Sequence, residues 1–223
     1  MTKFKICGLS HVDHVLAAAN AGADYLGFVF VQGVRRELSI QNATHLIEEY
    51  RCMSGDGGPK LVGLFANQPI QYVNNTVSKV GLDMVQLCGN EPPKYWNDIN
   101  VPVIKQIKVK EEGSLQKTIA GITQLVKQVC NNGQIPLLDK YHDGHLGGTG
   151  TQFDWNIAAE ITKTHNIFLA GGLTPENVRD AIKTVTPWGV DVSSGIETDN
   201  TKDTKKIISF AEEVTQADQE ISE

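Results

Sequence analysis

One pattern recurs along this chain of 223 residues: a short apolar or β-branched run, then a longer segment with apolar residues three or four positions apart. The first kind of segment predicts a buried strand and the second an amphipathic helix. The predicted strands are Phe4–Cys7, Tyr25–Phe30, Lys60–Phe65, Met84–Leu87, Val103–Ile107, Ile135–Leu138, Ile167–Ala170 and Gly189–Val192. The predicted helices are Val12–Asn20, Ile40–Tyr50, Ile70–Val80, Leu115–Cys130, Trp155–Thr164, Pro175–Thr184 and Thr204–Thr215, with a weaker one at Pro93–Asp98.

Eight βα units in about 220 residues predict an α/β fold, a single (βα)8 barrel of the TIM type, with a doubly wound open sheet as the alternative. Ser39 and Asp154 stand at N-cap positions, and Pro175 stands where the first residue of a helix is expected. We expect the barrel to span residues 1–216 and the acidic tail, 217–223, to be frayed.

Composition excludes several classes of partner. The formal net charge is −6 and the basic residues are scattered, so nucleic acid is not an expected partner. No run approaches the roughly 18 apolar residues of a membrane span, and the first residues enter a strand pattern without a signal-peptide core. The cysteines at 7, 52, 88 and 130 lack CxxC spacing and are expected to be free thiols. We therefore expect a cytoplasmic protein without membrane partners.

In a (βα)8 barrel the ligand lies over the carboxyl ends of the strands, so the residues that follow each strand are the candidate site. Here those residues are polar and rich in glycine. They are Cys7-Gly8, the VQGVRRE loop, Asn67, Cys88-Gly89, Lys108, Asp139 with the HDGHLGGTG stretch, Gly171-Gly172, and Ser193-Ser194-Gly195.

The loops after the seventh and eighth strands, LAGGLTPENV and VDVSSGIE, predict a phosphate site. Glycines there let backbone N–H groups converge on an oxyanion, and barrels often bind phosphate with these two loops. The candidate phosphate-binding residues are Gly171, Gly172, Ser193, Ser194 and Gly195. Tight turns that need positive φ would place glycine at the same positions, and this alternative stays open. A further glycine stretch, Gly147-Gly148-Thr149-Gly150, is a candidate to close over the ligand.

Seven motifs in order also resemble a known family. They are KICGL (5–9), GFVF followed six residues later by Arg36, VGLFANQ (62–68), VQLCGNE (85–91), LLD with GGTG and FDW (137–155), LAGGLTPENV (169–178) and DVSSGIE (191–197). This set, which covers essentially the whole chain, resembles phosphoribosylanthranilate isomerase of tryptophan biosynthesis. The resemblance implies a barrel of the ribulose-phosphate-binding type that isomerises N-(5'-phosphoribosyl)anthranilate, a small phosphorylated substrate, by an Amadori rearrangement without a cofactor.

The resemblance also implies roles for individual residues. Asp139 resembles the family's general acid and Cys7 its general base, while Arg36 would bind the anthranilate carboxylate through its planar fork. Acid catalysis near neutral pH requires a raised carboxyl pKa, and base catalysis by a thiolate requires a lowered thiol pKa. Lys5 shares a strand face with Cys7 but lies one layer deeper, so we do not expect it to lower that pKa. Asp191 precedes the strand end and is a candidate structural support.

Several alternatives remain. Cys7 could be a core filler, because free cysteine is often buried. Many relatives in the family have histidine where this chain has Cys88. A separate question is whether His142 and His145 bind a metal ion. They lack a third ligand at a fixed spacing, so no metal is expected. Another sugar-phosphate isomerase or epimerase, or a barrel that only binds a phosphorylated ligand, would share the phosphate loops. A monomer is the default oligomeric state.

Overall fold

The computed structural model describes residues 1–55, 57–111, 113–140 and 153–222. Within these ranges eight parallel strands form a closed barrel, and the helices pack around it. The strands are β1 (Lys3–Cys7), β2 (Tyr25–Val29), β3 (Lys60–Phe65), β4 (Met84–Leu87), β5 (Val103–Val109), β6 (Ile135–Lys140), β7 (Phe168–Leu169) and β8 (Gly189–Val192). The barrel prediction is therefore confirmed, and the doubly wound alternative is excluded.

Helices follow the strands in alternation. They are α1 (Val12–Asn20), α2 (Ile40–Ser54), α3 (Ile70–Val80), α4 (Pro93–Asn97), α5 (Leu115–Asn131), α6 (Trp155–Thr162), α7 (Val178–Val185) and α8 (Thr204–Ser222). A short 3-10 helix, Ser194–Ile196, follows β8, and a two-stranded hairpin, β9 (Glu197–Thr198) and β10 (Thr201–Lys202), leads into α8. No helix in the described ranges has both the length and the apolar character needed to cross a membrane.

Strand order follows chain order around the barrel, and β1 closes it by pairing with β8. Lys5 lies opposite Asp191 in that closing register, and Lys108 lies opposite Asp139 between β5 and β6. Because side chains alternate between the two faces of a strand, Lys5 and Cys7 point to the same face, the inside of the barrel. The register thus places three ionisable side chains of β1 and β8 close together.

The barrel interior is apolar at one end and polar toward the other. Its apolar layer is formed by Val62, Met84, Ile104, Leu137, Phe168 and Ala170. A separate cluster of Cys7, Val29, Val31, Leu64 and Cys88 lies nearer the carboxyl ends of the strands. Buried polar side chains occupy positions on the same strands, among them Gln86, Gln106 and Asp139. The apolar layer thus fills the amino-terminal part of the barrel interior, and the polar side chains lie nearer the carboxyl ends of the strands.

The predicted helix starts are confirmed in two cases and wrong in one. Ser39 accepts a hydrogen bond from the Asn42 amide at 3.1 Å, and Asp154 accepts one from Asn156 at 3.0 Å. Pro175 does not begin α7, which starts at Val178. The side-chain oxygen of Asn177 accepts a hydrogen bond from the Thr174 amide at 2.9 Å, so residues 174–177 form a turn instead.

The expectation of a frayed tail over 217–223 is wrong for residues 217–222, which belong to α8. Ala217 is fully buried, and the Asp218 carboxylate accepts hydrogen bonds from the Thr2 amide and hydroxyl, each at 2.7 Å. These hydrogen bonds hold the end of α8 against Thr2, the residue that precedes β1. Charge pattern alone does not reveal this contact, because the partner lies at the opposite end of the sequence.

Candidate active site

Cys7, the candidate base, is the last residue of β1 and is 4% exposed. The glycine on the neighbouring strand makes room for it. A Cβ at Gly27 would lie 3.1 Å from the Cys7 sulfur and 3.1 Å from the Lys5 ammonium nitrogen. The thiol and the lysine therefore occupy the same small space inside the barrel.

Lys5 is fully buried and its Nζ donates to Oδ1 of Asp191 at 2.8 Å. It also hydrogen-bonds with Cys7 and lowers the pKa of that thiol. Our expectation that Lys5 would not act on Cys7 is therefore wrong. Lys5 does lie one layer deeper in the barrel than Cys7, as strand alternation predicts. Its four-carbon side chain nevertheless spans the distance between the two layers. Asp191 is the structural partner that we expected on β8.

The pKa of Cys7 is raised, not lowered as we expected. Burial is the largest cause, and it outweighs the opposing effects of Lys5 and Lys202, while Asp191 raises the pKa further. At neutral pH Cys7 is therefore mainly the protonated thiol in the unliganded protein. Cys88, just beyond β4, is also buried, and burial raises its pKa to about 12 although Gln86 donates to its sulfur at 3.5 Å. Of these two thiols, only Cys7 has a lysine in hydrogen-bond contact.

Asp139, the candidate acid, lies at the carboxyl end of β6 and is 9% exposed. Burial and then the Asp191 charge raise its pKa to about 6, against the opposing effects of the Lys140 amide, Gln106 and Lys108. The direction agrees with the requirement for an acid near neutral pH. The Lys140 amide donates to Oδ1 at 2.8 Å, and the Gln106 side chain donates to Oδ2 at 2.6 Å. Both carboxyl oxygens are thus held in place.

Arg36 leaves part of its guanidinium available to a ligand. Its Nε donates to Oε1 of Glu197 at 2.7 Å, whereas its Nη2 is buried and has no hydrogen-bond partner within the described ranges. Gly8, with φ +80°, lies directly beneath it, since a Cβ there would stand 2.4 Å from Cδ of Arg36. A buried N–H donor without a partner is costly, so this nitrogen indicates a place for an acceptor.

The residues that orient Arg36 were not found from the sequence. Glu197 accepts from both Arg35 and Arg36, and Lys202 donates to Glu197 at 3.0 Å and to the Ser193 carbonyl at 2.7 Å. Burial opposes ionisation of Glu197, but Arg36, Arg35 and Lys202 together lower its pKa to about 2. Burial lowers the pKa of Lys202 to about 8 despite Glu197. The possible signal was the charged segment GIETDNTKD immediately after the last strand.

The candidate phosphate loops contact each other. Gly171 and Gly172 have φ of +92° and +67°, and the Asn177 amide donates to the Gly172 carbonyl at 2.9 Å. A Cβ at Gly195 would stand 1.8 Å from the Leu173 carbonyl oxygen, so the two loops touch at that point. The Ser193 hydroxyl donates to the Cys7 carbonyl at 3.1 Å, which joins the loop after β8 to the end of β1. Ser194 begins the short 3-10 helix.

Residues 147–150, the predicted closing loop, lie outside the described residues, as do His142 and His145. Within the described ranges, no group of three or more His, Cys, Asp or Glu side chains is placed to hold a metal ion.

Comparison with known proteins decides the family. The family model described as N-(5'-phosphoribosyl)anthranilate (PRA) isomerase matches residues 4–213. The chain belongs to this family. A phosphoribosylanthranilate isomerase from Dehalococcoides mccartyi is 43% identical over 222 residues, covering 98% of each chain. One from Roseiflexus castenholzii is 40% identical over 209 residues, covering 92% of this chain and 94% of the relative.

Solved structures of phosphoribosylanthranilate isomerases have the same fold. The crystal structure of the enzyme from Thermotoga maritima superimposes with a TM-score of 0.82 at 30% identity, covering 97% of this chain and all of the other. A structure of the enzyme in complex with reduced 1-(o-carboxyphenylamino)-1-deoxyribulose 5-phosphate has a TM-score of 0.78 at 29% identity, with the same coverage. The family resemblance stated from the motifs is confirmed.

Proposed function

We propose that the chain converts N-(5'-phosphoribosyl)anthranilate to 1-(2-carboxyphenylamino)-1-deoxyribulose 5-phosphate in tryptophan biosynthesis, with Asp139 as acid and Cys7 as base. Family membership supports the reaction. The observation that carries the assignment of roles is the pair itself: a buried carboxyl group with a pKa of about 6 on β6, and a thiol beside Lys5 on β1. β7 and β8 separate the two strands on the shorter path around the barrel. The sugar of the substrate is proposed to lie between the two side chains.

The chemistry requires one proton to be given and one to be taken. Asp139 donates its proton to the furanose ring oxygen as the C1'–O bond breaks, and the anthranilate nitrogen supplies electrons to form a C1'=N iminium. The Cys7 thiolate removes the C2' proton, which produces an enolamine that tautomerises to the ketone. General acid and base groups typically contribute about 10²- to 10⁴-fold each.

Lys5 and Lys202 support the base in this mechanism, because both lower the pKa of Cys7. The ammonium of Lys5 in hydrogen-bond contact stabilises the thiolate against the effect of burial. Asp191 holds Lys5 in position by their ion pair at 2.8 Å. Asp191 also raises the pKa of Asp139, so it favours the protonated acid. One carboxylate thus acts on both reacting groups.

The remaining groups bind the two ends of the substrate. The unpartnered Nη2 of Arg36 is the proposed donor to the anthranilate carboxylate, and Glu197 with Lys202 keeps its side chain in place. Gly171, Gly172, Ser193, Ser194 and Gly195 are the proposed phosphate site at the ends of β7 and β8. Residues 147–150 remain our candidate for closure over the substrate.

We further propose that the enzyme is a cytoplasmic monomer that needs no cofactor. The exposed large apolar side chains within the described ranges fall on several separate helices, among them Met53 on α2, Leu125 on α5 and Ile208 on α8. A single broad apolar face would instead favour a dimer. Light scattering at several protein concentrations tests this proposal, and a mass that doubles with concentration would contradict it.

Turnover of freshly made phosphoribosylanthranilate tests the proposed function, because anthranilate conjugates absorb and fluoresce. Addition of the enzyme should change the signal within seconds, and heat-inactivated enzyme should not. Spontaneous hydrolysis of the substrate at its C1'–N bond, which gives anthranilate and ribose 5-phosphate, is a separate process that a no-enzyme sample measures. No enzyme-dependent change would contradict the proposed reaction and favour a barrel that acts on another sugar phosphate or only binds one.

A further inference from the structure

Two glutamines lie among the reacting groups inside the barrel, one on β4 and one on β5. Gln86 is 2% exposed and Gln106 is 6% exposed. Each donates through Nε2, Gln86 to the Cys88 sulfur at 3.5 Å and Gln106 to Oδ2 of Asp139 at 2.6 Å. The side-chain oxygen of each is buried and has no partner within the described ranges. A buried amide that uses only its donor end leaves its acceptor unsatisfied, at a cost in free energy.

The two contacts differ in one respect. Cys88 remains a thiol at neutral pH because burial raises its pKa to about 12. Asp139 changes its protonation state near pH 6, within the working range of the proposed reaction. A carboxylate only accepts hydrogen bonds, whereas a carboxylic acid also offers a donor. The neighbour of Gln106 therefore changes from an acceptor to a donor when it gains a proton.

We propose that Gln106 is a positioning residue for the acid, and that its amide hydrogen-bonds with Asp139 in both protonation states. With the carboxylate, Nε2 donates to Oδ2, which is the arrangement in the structure. With the carboxylic acid, a half rotation of the amide brings its unpartnered oxygen to accept the proton on Oδ2. An amide suits this exchange because its two ends have nearly the same shape.

This contact acts on the reaction through the charge that develops on Asp139, and to that extent the inference rests on the proposed function. When the proton on Oδ2 passes to the substrate, the amide oxygen loses its donor, and the amide rotates back so that Nε2 stabilises the carboxylate that forms. The charged groups that also act on Asp139 are Asp191 from β8, paired with Lys5 of β1, and Lys108 from β5. The Lys140 amide holds the other oxygen, Oδ1, on the side of Gly171.

The test measures the pKa of Asp139 directly, by ¹³C NMR of the carboxyl carbon in the unliganded protein. Gln106→Met keeps the length of the side chain and removes both hydrogen bonds. Because a hydrogen bond to a charged group is stronger than one to a neutral group, this loss should raise the pKa of Asp139, by up to about one unit. Gln106→Asn, which is one methylene shorter, should shift it in the same direction. Gln86→Met is the matched control and should leave this pKa unchanged.

An Asp139 pKa that stays at the wild-type value in both variants, or that moves equally in Gln86→Met, would overturn the proposal. Should neither variant fold, the wild type still decides: the side-chain amide ¹⁵N signal of Gln106 must shift with the same midpoint as the Asp139 carboxyl group, and an independent midpoint overturns the proposal. The kcat of Gln106→Met should fall about tenfold, if charge develops on Asp139 as proposed. The NMR titrations need no substrate. They therefore test the contact between Gln106 and Asp139 even if the protein does not catalyse the proposed reaction.

Discussion

Lys5 and Asp191 form a buried ion pair across the seam that closes the barrel, with Nζ of the lysine 2.8 Å from Oδ1 of the aspartate. The lysine side chain is fully buried and the aspartate side chain is 8% exposed. Burial acts to lower the pKa of Lys5, but the Asp191 carboxylate and, to a smaller extent, Cys7 raise it above its ordinary value, so the lysine keeps its charge. The ion pair therefore places a positive charge next to the Cys7 thiol and a negative charge near the Asp139 carboxyl group.

Lys5→Met should destabilise the fold strongly, because it leaves the buried Asp191 carboxylate without its partner. Loss of one member of a buried pair typically costs about 3–5 kcal/mol in free energy of unfolding. Lys3→Met is the matched control on the same strand, because Lys3 pairs with Asp24 at the surface, where such a change costs about 0–1 kcal/mol. Urea denaturation measures both. Equal, small losses would show that the pair at the seam is not desolvated as the structure indicates.

Arg36→Lys should raise KM for the substrate at least about tenfold with a smaller change in kcat, because an ammonium cannot reproduce the planar fork that meets a carboxylate. Arg35→Lys is the control. Arg35 also donates to Glu197, but its side chain is 43% exposed, so the same substitution should change KM little. If the two variants raise KM equally, Arg36 does not bind the anthranilate carboxylate.

Gly195→Ala should lower stability by about 1–3 kcal/mol, since the added Cβ meets the Leu173 carbonyl and must push the two phosphate loops apart. The affinity for inorganic phosphate should fall in the same variant. Gly121→Ala is the control in α5, where a Cβ meets nothing within 4 Å. Alanine should stabilise that helix by about 0.5–1 kcal/mol. Thermal melts with and without phosphate check both changes, and unaltered phosphate binding in Gly195→Ala would place the site elsewhere.

The pH profile of kcat/KM should be flat in its middle range. The active form carries a proton on Asp139, whose pKa is about 6, and none on Cys7, whose pKa is above the ordinary thiol value of about 8.5. Between these two pKa values, loss of the active acid with rising pH is balanced by gain of the thiolate. Activity should fall below about pH 6, where the thiolate keeps decreasing, and above the pKa of Cys7, where the acid keeps decreasing. A steady decline from pH 6 to pH 8 would contradict this assignment.

Sequence patterns predict the bounds of strands and helices well, because these depend on neighbouring residues. They predict tertiary contacts poorly, because these depend on residues far apart in the chain. The strands β3, β4 and β8 and the helices α1 and α3 have the predicted bounds, because apolar spacing and strand length are local properties. The contact of Thr2 with Asp218 depends on a partner at the other end of the chain. The turn closed by Thr174 and Asn177 is local, but apolar spacing does not distinguish such a turn from the first turn of a helix.

The same division holds for the site. The positions of Cys7, Asp139 and Gly171 followed from the rule that ligands lie over strand ends. The raised pKa of Cys7 did not, because it results from the balance between burial and two lysines, one of them 195 positions later in the chain. Glu197 and Lys202 were missed for a similar reason, since their roles depend on a hairpin folding back onto Arg36 and Ser193.

The central claim is that Asp139 and Cys7 carry the proton transfers, and single-turnover rates of Asp139→Asn and Cys7→Ser test it most directly. Freshly made phosphoribosylanthranilate is mixed with excess enzyme, and the fluorescence change is followed by stopped flow. Each variant should remain folded and bind a product analogue, yet react about 10²- to 10⁴-fold more slowly than wild type, because neither an amide nor a serine hydroxyl can replace the lost group. Folded variants that react within a factor of about three of wild type would contradict the claim for that residue.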